Sequence, residues 1–245
     1  MRFFLVLPLL LASALTLAAP PKVDAFVAVF ELSGIRLLCE QSAPLLRRGL
    51  DAKQQAALGE AFSADALCGD LAARLSGKFD QGQLESARQL LDSPLAQRFT
   101  AAERAVGEKD GKNLADYRVQ LKERPPRQDR LDLVKRLDTA AHTTELAAVL
   151  RYEVGKTQAL LALRARGDNL DEQALSSQTR AQEEALRVSS AKAVESFMLY
   201  AYRQIPSDQL AEYAAIYEQP AVALLLKSSV EALPQLFAER RAALR

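Results

Sequence analysis

Apolar residues three and four positions apart mark two related stretches of the chain, QLESARQLLDSP at 83–94 and QLAEYAAIYEQP at 209–220. The second stretch follows the first at a constant offset of 126 residues. Residues at this spacing share one face of a helix. The pattern therefore predicts two amphipathic helices whose buried faces correspond in order, Leu84, Ala87, Leu90 and Leu91 with Leu210, Tyr213, Ile216 and Tyr217.

The same offset continues toward the N-terminus, where Phe79 corresponds to Ile205 and Leu71 to Phe197. Similarity at one fixed offset indicates two divergent tandem copies of a helical unit. We predict an all-α helical bundle, because Ala and Leu dominate and no stretch shows the alternation and hairpin glycines of strands. The first copy is placed at 19–121 and the second at 128–245, joined by a linker at 122–127 that contains two prolines.

Capping residues and breaks predict the helix ends. We expect one helix over 23–40 and another over 139–165, with a turn at the glycine-bearing segment 107–113. Residues 171–184 are polar almost all round, which indicates a weakly packed and partly mobile surface helix. Serine and aspartate are favoured at helix N-termini, where their side-chain oxygens accept hydrogen bonds from backbone N–H groups. Such residues predict further helix starts at Ser42, Asp51, Ser63, Ser93 and Ser207.

The first residues have the form of an export signal. Arg2 gives a positive start, the run at 3–17 is apolar, and the run is shorter than the roughly 20 apolar residues that span a bilayer. We predict a signal peptide over 1–18, cleaved near Ala18 or Ala19, with Ala18 favoured because Pro20 would follow a cut after Ala19. The mature chain is then a soluble periplasmic protein without a membrane span; the alternative is a retained N-terminal anchor.

Cys39 and Cys68 are the two cysteines of the chain. An even count in an exported protein favours a disulfide, and two buried free thiols are the alternative. Two sulfurs without a C-x-x-C spacing do not supply the four ligands of a structural zinc site. The position 126 residues after Cys68 is Val194, so the bridge belongs to one copy only.

The ends of the two related helices resemble a family motif. Leu90 to Ala96 reads LLDSPLA and Ile216 to Val222 reads IYEQPAV. These segments are similar to the Phe-Tyr-x-Ser-Pro-x-Gly stretch of the domain of unknown function 2059 family, exported helical proteins of Gram-negative bacteria. The segment LSG at 32–34 is also similar to the first helix of that family. The motif glycines are lost in both copies, and the matching residues are Ser93, Pro94, Tyr217 and Pro220.

The resemblance implies a periplasmic location and a helical fold, and it carries no known activity. The formal net charge of +1 gives no support to a nucleic-acid partner. His142 is the one histidine, too few for a zinc-protease helix or a serine-hydrolase triad, and the glycine-rich phosphate loops are absent from the sequence. We therefore expect no catalytic residue, no metal and no cofactor.

The tyrosines are distributed unevenly. Five of the six lie in the second half, and Tyr213 and Tyr217 share a helix face. They either line the core between the halves or form, with Tyr200 and Tyr202, a patch for a ligand or partner.

These observations leave three functional hypotheses. The first is a non-catalytic protein that binds another protein or component of the cell envelope. The second is a carrier that holds an apolar small molecule or lipid between its helices. The third is an enzyme of unrecognised type, which a cleft with convergent acidic residues would favour.

Overall fold

The computed structural model describes residues 21–58, 60–109, 111–168 and 170–244. The predicted signal peptide, with Ala18 and Ala19, lies outside them. Within the described residues all regular structure is helical, which confirms the predicted all-α class. The helices are α1 Val23–Ser33, α2 Ile35–Arg47, α3 Ala52–Leu58, α4 Ala64–Ser76, α5 Gln81–Leu91, α6 Pro94–Lys109, α7 Gly111–Glu123, α8 Gln128–Ala141, α9 Thr143–Ala165, α10 Glu172–Thr179, α11 Glu183–Ala201, α12 Ser207–Tyr217 and α13 Pro220–Ala243, with a 3-10 turn at Arg180–Gln182.

Side-chain caps begin three helices where the sequence predicts them. The side chains of Asp51, Ser63 and Ser93 each accept a hydrogen bond from the backbone N–H three residues on, at 2.8–3.3 Å. These bonds satisfy N–H groups that have no partner inside the helix.

Two predicted caps are wrong. Ser42 lies inside α2, where its hydroxyl donates to the Leu38 carbonyl oxygen at 3.0 Å. Ser207 is the first residue of α12, and its hydroxyl accepts a hydrogen bond from Arg130 Nη1 at 3.3 Å. A serine hydroxyl can bond back to the carbonyl four residues earlier as well as cap a helix, so residue type alone does not separate the two positions.

Single residues in the left-handed conformation divide two predicted helices. Gly34, at φ 78°, separates α1 from α2 within 23–40, and His142, at φ 52°, separates α8 from α9 within 139–165. Glycine adopts this conformation without a steric cost from a Cβ atom, whereas histidine there is uncommon. The prediction of two uninterrupted helices is therefore wrong, because one left-handed residue redirects the chain without altering the apolar pattern.

One hydrophobic core extends through both halves of the chain. Phe26 packs edge-on to Phe79 in the first half, with ring centroids 5.8 Å apart. Phe62 and Phe237 join the halves at 5.5 Å. The predicted copies therefore share their buried surface.

The helices pack in two corresponding sets. In the first, α1 contacts α2, α4 and α5, α2 contacts α4, and α13 packs on α4 and α5. In the second, α8 contacts α9, α11 and α12, α9 contacts α11, and α6 packs on α11 and α12. Thus α6 packs against the second set and α13 against the first, although α13 also contacts α9 of its own half, and α2 meets α9 between the two sets.

The connection between the halves is more helical than predicted. The turn expected at 107–113 is wrong over most of its length, because α6 continues to Lys109 and α7 begins at Gly111. The α7 side chains Leu114 and Leu121 pack against the core, and such tertiary contacts outweigh the weak helix propensity of the glycines. Residues 124–127, inside the predicted linker, are the non-helical part.

The polar stretch at 171–184 is better packed than its composition indicates. It forms α10, the 3-10 turn and the start of α11, and Leu175 and Thr179 of α10 are buried. Glu172 of α10 belongs to a cluster of charged side chains that is described below.

Among the described residues, α13 is the one helix that is long and apolar enough to cross a membrane. Its sequence did not predict a membrane span, because the apolar run at 221–226 has only six residues before Lys227. In the structure α13 packs against α4, α5 and α9, as a core helix does.

Candidate functional site

The four tyrosines of the predicted patch lie inside the protein. Tyr200, Tyr202, Tyr213 and Tyr217 are only 1–7% exposed. The Tyr200 ring packs under the Arg203 guanidinium, 3.9 Å from the ring centroid. The partner patch is therefore corrected to a buried cluster, and burial supports the core interpretation of these residues.

Three of these tyrosines form a network with a glutamate, which we call the tyrosine cluster: Glu103, Tyr202, Tyr213 and Tyr217. The Tyr202 hydroxyl donates to a Glu103 carboxylate oxygen. The hydroxyls of Tyr213 and Tyr217 are 2.9 Å apart. Phe99 of α6 stacks on the Tyr213 ring with centroids 4.0 Å apart. The cluster thereby fastens α6 to α11 and α12.

The electrostatics of the tyrosine cluster follow from burial. Burial raises the pKa of Glu103, and hydrogen bonds from Tyr202 and Tyr213 partly offset this effect. Burial, with the neighbouring Glu103 charge, also raises the pKa of Tyr202 and Tyr213 well above the ordinary tyrosine value. The hydroxyls thus stay protonated near neutral pH and act as hydrogen-bond donors rather than nucleophiles.

A second buried network, the ion cluster, consists of Glu153 and Lys156 of α9, Glu172 of α10 and Arg241 of α13. Arg241 Nη1 lies 2.6 Å from Glu153 Oε2. On its other edge, Arg241 donates from Nη2 and Nε to the two Glu172 carboxylate oxygens, at 2.7 and 2.9 Å. Lys156 Nζ donates to Glu172 Oε1 at 2.5 Å.

The two carboxylates of the ion cluster have opposite pKa shifts. Burial raises the pKa of Glu153, and the attraction of Arg241 and Lys156 offsets only part of this effect. Burial also acts to raise the pKa of Glu172, but its hydrogen bonds from Arg241 and Lys156 dominate and the net pKa is lowered. Glu172 is more exposed than Glu153, so a smaller desolvation cost opposes the same two cations.

The described residues contain no group of three or more His, Cys, Asp or Glu placed to hold a metal ion. His142 Nδ1 is 2.5 Å from Glu145 Oε2, an interaction within the first turn of α9. Cys39 and Cys68 form the predicted disulfide pair, with Cα atoms 6.1 Å apart, and join α2 to α4.

The proline-containing motif residues have structural positions. Ser93 caps α6, and Pro94 and Pro220 are the first residues of α6 and α13, where a missing N–H costs no helical hydrogen bond.

Two open grooves lie on the surface. One, of about 450 Å³, is bounded by the C-terminal ends of α1 and α5 and by α6, and its lining includes Glu31, Leu32, Asp92, Ala101 and Arg104. The other, of about 490 Å³, lies along α8 at the C-terminal end of α12, and it is lined by Asp132, Lys135, Arg136, Thr139, Ala140 and Glu218.

The chain matches no protein-family model, no curated protein and no solved structure. Its resemblance to the exported helical family stays a prediction from the motif residues around Ser93 and Pro220.

Sequence reasoning missed both buried networks. The available signal was a charge on an otherwise apolar helix face: Glu103 lies four residues after Phe99 and three before Val106. Glu153 and Lys156 interrupt the apolar face of α9 in the same way. Their partners are far away in sequence, so the pairings require the fold.

Proposed function

We propose that the chain is an exported, periplasmic helical protein without a catalytic role, which binds another protein of the cell envelope through two equivalent grooves. The observation that carries the proposal is the correspondence of the grooves on the two halves. Thr139 and Ala140 of the second groove follow Glu31 and Leu32 of the first by 108 residues. Glu218 follows Asp92 by 126 residues.

The proposal includes a tandem duplication of the helical unit. In support, α4, α5 and α6 correspond to α11, α12 and α13 at the offset of 126 residues. The pair α1–α2 corresponds to α8–α9, and a single left-handed residue joins each pair. The offset is 108 residues at Gly34 and His142 and grows to 126 at the later helices, partly because α9 has 23 residues where α2 has 13.

The packing supports an exchange of α6 and α13 between the copies. Phe99 of α6 packs on Tyr202 and Tyr213 of the second half. In return, Arg240 of α13 donates to the Ala61 carbonyl oxygen at 2.7 Å in the first half. In this arrangement, each copy completes its core with a helix of the other copy. The two copies then form one rigid body, and each presents a similar surface.

A binding role without catalysis agrees with how the buried charges are used. The Glu103 carboxylate is engaged by tyrosine hydroxyls, and Glu153 and Glu172 face Arg241 and Lys156. We prefer a protein partner to an apolar small molecule because Phe99 and Tyr202 pack against the Tyr213 ring between the helices, the kind of position in which a carrier would hold its ligand.

Site-specific photo-crosslinking in intact cells tests the proposal. A photoreactive residue at Ala101 in the first groove, or at Thr139 in the second, should link to the same envelope protein. Ala115 on the exposed surface of α7 is the matched control position. Ala101→Arg and Thr139→Arg should then reduce recovery of the native complex, whereas Ala115→Arg should not.

Equal labelling from all three positions, or a natively purified protein that carries lipid and no protein partner, would contradict the proposal. Export is tested separately by N-terminal sequencing of the periplasmic fraction, where a mature chain beginning after Ala18 or Ala19 is expected. A chain that keeps Met1 in the membrane fraction would contradict it.

A further inference from the structure

We propose that Lys156 and Arg241 form a binding site for a small carboxylate anion, and that Glu172 of α10 occupies this site as an internal ligand. The geometry around Glu172 is that of a bound carboxylate. Arg241 presents one full edge of its guanidinium to both Glu172 oxygens, and Lys156 contacts Oε1. This bidentate arrangement is the strongest way in which arginine recognises a carboxylate.

The two cations are held in place by residues outside α10. The other edge of Arg241 faces Glu153 Oε2 at 2.6 Å and lies 3.3 Å from Thr157 Oγ1. Lys156 Nζ is 3.8 Å from Glu153 Oε1 and lies over the Tyr152 ring, 5.4 Å from its centroid. Arg241 is 1% exposed and Lys156 5% exposed. The cation pair is thus preorganised by α9 and α13.

The local charge balance requires an anion at the position of Glu172. Without Glu172 the cluster holds two cations and the single carboxylate of Glu153. An unpaired buried cation is costly, because the interior replaces little of its hydration. A carboxylate from solution can provide the same three hydrogen bonds and the same charge.

Helix α10 is suited to detach. It has eight residues and follows Gly167, which has φ 90°, and it ends in the 3-10 turn at Arg180–Gln182. Leu175 and Thr179 are its buried residues. Its other attachments are polar: Glu172 to the cations, Ser176 to Lys156 at 2.9 Å, and Thr179 to the Tyr152 hydroxyl at 3.1 Å. Water can replace these polar contacts, so a competing carboxylate leaves the helix held chiefly by Leu175, which is 1% exposed.

The first test replaces the internal ligand by acetate. Glu172→Ala should lower the melting temperature of the disulfide-bonded protein. Sodium acetate should raise that melting temperature at least threefold more than sodium chloride at equal ionic strength. Glu184→Ala, which removes an exposed partner of Arg187, is the control and should respond to both salts alike. Lys156→Met combined with Glu172→Ala should abolish the acetate effect.

The second test follows α10 in the unchanged protein by hydrogen exchange. Acetate should accelerate exchange of the α10 amides several-fold in a saturable manner, with α9 and α13 unaffected and with no effect of chloride. If Glu172→Ala does not fold, Glu172→Gln and this exchange measurement decide the question. Identical responses to acetate and chloride, or rescue by phosphate and not by acetate, would overturn the proposal.

Discussion

Glu153 is buried and Glu103 is half-buried, and the partners of the two carboxylates differ. Glu103 meets neutral tyrosine hydroxyls, which stabilise its charge only partly, whereas Glu153 meets the guanidinium of Arg241. Near neutral pH, removing the charge of Glu103 should therefore raise the free energy of unfolding. Removing Arg241, the partner of Glu153, should lower it.

Glu103→Gln should make stability less dependent on pH. The folded pKa of Glu103 is raised, so its contribution is present below the ordinary pKa of glutamate and is lost as pH rises through the folded pKa. Glutamine still accepts a hydrogen bond from Tyr202 and carries no charge. The melting temperature of the variant relative to the unchanged protein should rise between pH 4 and pH 8, and a pH-independent difference would contradict the assignment.

Arg241→Ala should destabilise the protein by about 3–5 kcal/mol, because it leaves Glu153 buried without its closest cation. Arg187→Ala removes an exposed partner of Glu184 and should cost less than about 1 kcal/mol. Urea unfolding of the two variants measures the difference. Similar small losses for both would show that the ion cluster is open to water.

At the scale of single helices, the sequence predicted where most of them lie but not where two of them break. The caps at Asp51, Ser63 and Ser93 were predictable from the sequence. In each, the side chain accepts a hydrogen bond from a backbone N–H only three residues further on. The breaks at Gly34 and His142 depend on helix packing on both sides, and neither interrupts the apolar period.

Gly34→Ala should cost about 1–2 kcal/mol, since its left-handed φ crowds a Cβ atom against the backbone. Gly155 provides the matched control: it lies inside α9, and a Cβ atom built there meets no atom within 4 Å beyond the neighbouring backbone of its own helix. Gly155→Ala should therefore stabilise the protein by about 0.5–1 kcal/mol. Thermal unfolding distinguishes them, and equal effects of the two substitutions would refute the conformational explanation.

The Cys39–Cys68 bridge joins α2 and α4 across a sequence separation of 29 residues. Replacing both cysteines by serine should lower the free energy of unfolding by about 3 kcal/mol, because the unfolded chain gains freedom. Urea unfolding measures the loss. Serine at the buried Cys39 adds a desolvation cost, so Cys39→Ala with Cys68→Ala is the better control. No loss in either pair would contradict a stabilising bridge.

At the scale of the whole molecule, the two sets of helices share one hydrophobic core. The related apolar stretches predicted two helices, and α5 and α12 lie at these positions, while the duplication itself stays a prediction. The positions of α6 and α13 in the opposite sets were not predictable, because an apolar helix face does not specify which copy of a similar surface it covers. The tyrosine and ion clusters likewise draw residues from distant segments.

Native-state hydrogen exchange on two matched variants tests the central claim, that α6 completes the core of the second half and α13 completes the core of the first. Phe99→Ala in α6 removes a ring packed on Tyr202 and Tyr213, and Phe237→Ala in α13 removes a ring packed on Phe62. We predict that Phe99→Ala lowers amide protection in α11 and α12, and that Phe237→Ala lowers it in α4 and α5. Loss of protection confined to the half that carries each substitution would contradict the account.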